Sequence, residues 1–112
     1  MTEQLKPKMM DYHRHILVCI GDRCTPNGEG QAIYDQLKNK FEAAGIHQGA
    51  LRVKKTRATC FGTCKFGPLL CVQPDGVWYY NVTIDKLDRI INEHLLNNKP
   101  VLEWVYYQNQ IK

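Results

Sequence analysis

Four of the five cysteines in the chain stand in two close pairs, Cys19 with Cys24 and Cys60 with Cys64. Ile20-Gly21-Asp22-Arg23 separates the first pair and Phe61-Gly62-Thr63 the second. A fold that brings these two loops together makes a four-sulfur pocket. A [2Fe–2S] cluster asks for two ligands per iron, and cysteine thiolate is its usual donor. Four cysteines are equally a structural zinc site, most often with two residues inside each pair and with up to four known. Spacing and composition leave iron–sulfur and zinc as close alternatives. An odd cysteine count argues against a pure disulfide framework.

The order of elements decides whether the loops can meet. His15 to Ile20 reads as a buried strand ending at Gly21-Asp22, which puts Cys19 at the strand's end and Cys24 in the loop beyond. Thr25-Pro26-Asn27-Gly28 is turn chemistry, with Asn27 as a candidate cap. A helix follows from about Gly30 to Ala44, with Ile33, Leu37 and Phe41 at helical spacing and Gly45 as its stop. Leu51 to Thr59 alternates as a strand with one wet, basic face. After the second cysteine loop, Leu69 to Gln73 and Val77 to Val82 form a hairpin about Pro74-Asp75-Gly76. Thr83 caps a second helix whose Leu87, Ile90, Ile91 and Leu95 face inward. Val101 to Ile111 reads equally as strand or helix. One parallel crossover plus a hairpin predicts an α/β, thioredoxin-like outline: a mixed four-stranded sheet with flanking helices. Residues 1–11 read as a mobile leader and 12–112 as a single domain.

Met1 to His15 has no apolar run of signal-peptide length, and no stretch is long enough to span a bilayer. The expected location is therefore the cytoplasm, where clustered cysteines more often bind metal than form disulfides. The net charge of +4 is modest, and its densest part is Arg52, Lys54, Lys55 and Arg57. That balance favours an acidic protein surface as partner over nucleic acid.

Three motifs together go beyond spacing: Val18-Cys19-x4-Cys24, then Cys60-Phe61-Gly62-Thr63-Cys64-x2-Gly67-Pro68, then Val72-Gln73-Pro74-Asp75-Gly76-Val77-Trp78-Tyr79. With Glu93-His94-Leu95 and Pro100-Val101 they resemble the thioredoxin-like [2Fe–2S] ferredoxins, over roughly residues 13 to 102. They are similar too to the related peripheral [2Fe–2S] subunit of respiratory complex I and of some hydrogenases. The resemblance implies a thioredoxin-like fold and one [2Fe–2S] cluster on Cys19, Cys24, Cys60 and Cys64. It also implies a homodimer that carries electrons for redox partner proteins and is not an enzyme. The four-residue gap in the first pair is shorter than in several free-standing ferredoxins and closer to the complex subunits and to fused or stand-alone relatives, which leaves the partner this carrier serves open.

Other residues have plainer readings. Cys71, mid-strand, reads as a buried apolar thiol. A dithiol oxidoreductase needs a reactive C-x-x-C, and neither pair has that spacing. His13 and His15 read as strand-edge residues and His94 as a helix residue packing locally. Arg23, Lys65, Lys54, Lys55 and Arg57 are either a solvated face or a basic rim around the cluster that steers an acidic partner. Of Trp78, Tyr79 and Tyr80, at least one is expected to be exposed. The alternative function is a binding or assembly module that zinc or a labile cluster merely holds together.

Overall fold

A computed structural model of the chain describes residues 7–9, 11–21, 25–59 and 66–109. Most of the expected leader, residues 1–6 and 10, lies outside them.

The apolar run after Tyr12 forms β1 (Arg14–Cys19), with Ile16 and Val18 fully buried. α1 (Glu29–Ala44) buries Ile33, Leu37 and Phe41, the stripe that the helical period marks. It stops at Gly45, whose φ of 74° lets its N–H turn back to the Glu42 and Phe41 carbonyls. Its start differs from expectation. Gly28, not Asn27, is the cap, and the Glu29 carboxylate accepts from the Asn27 N–H at 2.8 Å. No side chain caps this end; Glu29 places its negative charge in the positive first turn.

The crossover delivers β2 (Val53–Ala58) parallel to β1, with Cys19 opposite Ala58. β3 (Leu70–Gln73) runs antiparallel to β1 on its other side, and β4 (Val77–Tyr79) returns from it. The hairpin turn needs Gly76 at φ 69°, where a side chain would also strike Asn109. Thr83 caps α2 (Ile84–Arg89) by accepting the Lys86 N–H at 3.2 Å, as the sequence predicts. The helix continues as a wider, π-helical stretch over Ile90–Leu95.

The thioredoxin-like mixed sheet holds, with one strand more than expected. Val105–Gln108 forms β5 against β4, giving the order β2-β1-β3-β4-β5. The ambiguous tail becomes a strand because β4 offers it an open edge, which no local pattern reveals. Both helices contribute to one core with Ile16, Val18, Val53, Leu70, Val72 and Tyr79. Alternation along β1 turns Cys19 away from that core, into a small cluster with Leu69, Tyr80 and Tyr106.

Candidate metal centre

Parallel pairing puts the carboxyl ends of β1 and β2 side by side, and both cysteine pairs follow from those ends. Cys19 is fully buried, and its Sγ lies 3.8 Å from the carbonyl oxygen of Thr59, the residue just before Cys60 in sequence. The Cys19 N–H donates to Leu69 O at 3.0 Å, and the Ile20 N–H to Ala58 O at 2.8 Å. Thr25 folds back so that its N–H reaches Gly21 O at 2.9 Å. Farther on, the Asn81 N–H donates to Phe66 O at 2.7 Å and the Val82 N–H to Pro68 O at 3.1 Å. These bonds tie the chain on either side of residues 22–24 and 60–65 to one end of the sheet. Cys24, Cys60 and Cys64, with Arg23 and Lys65, lie outside the described residues.

Glycine makes this convergence possible. A β-carbon on Gly21 would fall inside contact distance of Thr59 O, and one on Gly30 inside that of Cys19 O. Backbone atoms cannot swing aside as a side-chain tip can. Gly21→Ala should therefore push the two strand ends apart, lowering both melting temperature and bound iron per chain. Iron analysis of the purified variant checks this, with unchanged iron as the contrary result.

Cys71 is also buried, at 1% exposure, but it sits in mid-strand opposite Leu17 and Trp78. Burial pushes its thiol up to about 12, against a smaller opposing effect of the Gln73 amide 3.3 Å away. It stays protonated at neutral pH and is a poor metal ligand. Among the described residues no group of three His, Cys, Asp or Glu side chains could hold a metal.

The remaining sequence candidates fall in distinct places. Lys54, Lys55 and Arg57 line β2. His13 is exposed, whereas His15 lies in a central strand, with Nε2 2.7 Å from the Thr56 hydroxyl. Tyr79 is fully buried, while Trp78 and Tyr80 are each half-buried, so none of the three is fully exposed.

A buried polar network escaped sequence reasoning. His94, fully buried, places Nε2 2.6 Å from Asp75 Oδ2 and Nδ1 2.7 Å from Tyr79 Oη. Arg14 donates from Nε to the same carboxylate at 3.0 Å, from Nη1 to Leu95 O at 3.2 Å and from Nη2 to Asn98 Oδ1 at 2.5 Å. Tyr79 Oη accepts the Val101 N–H at 3.1 Å. Burial raises the Asp75 carboxyl, but the His94 hydrogen bond and the Arg14 charge outweigh it and hold it below the ordinary value. Burial lowers His94 below the usual histidine value despite Asp75. An ionised Asp75 can only accept, so neutral His94 carries its proton on Nε2 and leaves Nδ1 to accept from Tyr79. Burial pushes the Tyr79 phenol up to about 12, so that proton is secure. Among the described residues every buried side-chain polar atom has a partner.

The sheet brings the described residues that flank both cysteine segments to one end, but a thioredoxin-like outline alone names no chemistry, because such folds host unrelated functions. The sequence profile of the thioredoxin-like [2Fe-2S] ferredoxins matches residues 5–95. A 2Fe-2S ferredoxin of Clostridium pasteurianum is 34% identical over 100 residues, covering 83% of this chain and 95% of its own. One from Aquifex aeolicus is 30% identical over 93 residues, covering 79% and 84%. The 1.5 Å crystal structure of the thioredoxin-like [2Fe-2S] ferredoxin from Aquifex aeolicus superposes with a TM-score of 0.75 at 26% identity, over 87% of this chain and 99% of that one. The chain belongs to the thioredoxin-like [2Fe–2S] ferredoxins, iron–sulfur electron carriers whose cofactor is a [2Fe–2S] cluster. Among the described residues no helix is long and apolar enough to cross a membrane.

Proposed function

We propose that the thiolates of Cys19, Cys24, Cys60 and Cys64 hold the cluster and that the chain passes one electron at a time between redox partners. The observation that carries this reading is the Cys19 sulfur seated at the joint end of β1 and β2, against the residue that precedes Cys60. Two further structures of the Aquifex ferredoxin are cysteine-to-serine variants. Their substituted positions stand four apart in that chain, the spacing of Cys60 and Cys64 here. The cluster, when bound, supplies a one-electron redox couple. The protein's part is to fix the loops, exclude water with the Leu69, Tyr80 and Tyr106 packing, and present the site to a partner.

Residues 12–112 work in this reading as one domain, in a cytoplasmic homodimer whose partners dock through acidic surfaces. Dithiol oxidoreductase activity has no place in it, because the cysteine spacing is wrong for it and the thiolates are committed to iron. Anaerobic titration with dithionite should take up one electron per chain and give a paramagnetic signal. No uptake, or insulin disulfide reduction that disappears in Cys60→Ser, contradicts the proposal.

A further inference from the structure

The 15 basic and 11 acidic residues are unevenly placed along the chain. From Ala43 to Pro74 there is no aspartate or glutamate, yet Arg52, Lys54, Lys55, Arg57 and Lys65 all lie there. The rest of the chain holds ten basic against eleven acidic residues, so this stretch accounts for the whole net charge of +4.

β2 carries three of these cations and is an outer strand of the sheet. The carbonyls of Arg52 and Ala58 face β1, where they accept the N–H groups of His13 and Ile20. Backbone groups alternate sides along a strand, so Lys55 and Arg57 direct their N–H and C=O groups outward. Val53 shares that outward set but is closed off by Ile46 O, 2.8 Å from its nitrogen. Among the described residues the open part of the edge is thus Lys55 and Arg57. Arg57 is one residue from Ala58, the partner of Cys19 across the ladder.

Aromatic rings and polar groups position the cationic side chains. Lys55 Nζ lies 4.7 Å and the Arg57 guanidinium 5.5 Å from the Tyr34 ring centroid, and Arg57 donates to Gln31 Oε1 at 3.2 Å. Lys54, on the opposite face, has Nζ 5.7 Å from the Tyr12 centroid and 3.5 Å from Met9 Sδ. None of the three enters an ion pair with a carboxylate among the described residues. Lysines on an edge also hinder strand-to-strand aggregation. Charge of either sign serves that purpose, and it needs no aromatic platform to fix the cations.

We propose that the outer edge of β2 is the docking surface for an extended acidic segment of a redox partner. The segment pairs through its main chain with Lys55 and Arg57 and sets carboxylates against Lys54, Lys55 and Arg57. This inference rests on the reading of the Cys19 end as the cluster site: a partner seated on the edge lies beside the point where the electron leaves.

A fluorescein-labelled octaglutamate peptide tests it, by anisotropy on the full chain with the visible spectrum recorded on the same sample. Binding should weaken as salt rises and should weaken about tenfold or more in K54E/K55E/R57E. K38E/K99E, two exposed lysines elsewhere, should bind like the parent. If the triple variant fails to fold, K54Q/K55Q/R57Q should show a smaller loss of the same kind. The peptide should also slow oxidation of dithionite-reduced protein by hexacyanoferrate(III). There one electron leaves the protein and reduces iron(III) in the complex to iron(II). Oxidation by cationic hexaamminecobalt(III) should not be slowed. A red-brown protein whose peptide affinity is unchanged by all three substitutions overturns the docking surface alone. So does tighter binding to oligothymidylate of equal charge. A colourless protein whose peptide binding is lost in the triple variant overturns the cluster reading alone.

Discussion

Serine at Cys19, Cys24, Cys60 or Cys64 should bleach the protein or change its visible spectrum, while Cys71→Ser keeps the colour. The contrast follows from where the sulfurs sit. Cys19 ends β1 at the joint from which both cysteine-bearing segments depart, and its loss removes one of four thiolate donors. Serine is a harder and less acidic ligand, so even a retained cluster would absorb differently. Cys71 lies two residues farther back on the ladder and stays a neutral thiol, its pKa pushed up to about 12 by burial. Replacing it buries a hydroxyl where a soft sulfur packed, a cost of about 1–2 kcal/mol that appears in melting temperature and not in colour. Absorbance per chain across the five variants is the measurement. Bleaching in Cys71→Ser with full colour in Cys24→Ser would mean that the ligand set is wrong.

The second large effect belongs to the buried network at the opposite end of β1. Asp75→Ala removes the carboxylate that answers both Arg14 and His94, leaving a nearly buried guanidinium without its counter-charge. Losses of this kind run to about 3 kcal/mol or more, a sizeable share of the stability of a small domain. The network is also sensitive to acid. His94 has a lower pKa folded than its ordinary 6.5, so below that value the unfolded chain binds a proton that the folded one resists. Stability is complete above about pH 6.5 and falls as pH drops below it. Asp75, also depressed, contributes stability present above its ordinary 3.8 and lost as pH falls through its folded value. His15, lowered by burial and then by Lys54, adds in the same direction as His94. Melting temperature should therefore decline between pH 7 and 5, and His94→Gln, which cannot titrate, should flatten that decline while melting lower throughout. An equally steep decline in the variant would remove His94 from the account.

The sequence made the sheet legible where each element satisfied its own local rules. Ile16 and Val18 read as a buried strand, Ile33, Leu37 and Phe41 as a helix face, Thr83 as a cap, and Gly45 and Gly76 as backbone turns. What escaped was set by partners distant in the chain. β5 exists because β4 had a free edge, and Asn27 falls one residue before the start of α1, where its N–H meets Glu29 and Gly28 takes the cap position. His94 looked like an ordinary helix residue because Asp75 and Tyr79, its partners, lie 19 and 15 positions away. The one available signal was the pairing of a histidine inside an apolar helix face with an aspartate in a tight turn. Of the centre itself, the sequence showed the cysteine pairs and their fit to iron or zinc, and the family match identified the cluster. The closeness of Cys19 to Thr59 came only from the parallel register of β1 and β2.

Iron, acid-labile sulfide and zinc measured together on anaerobically purified protein bear most directly on the claim that two loops meet to bind bridged iron. About two irons and two sulfides per chain, with the red-brown colour of a [2Fe–2S] centre, is the result the account requires. One zinc per chain in a colourless protein, with neither iron nor sulfide, would contradict it.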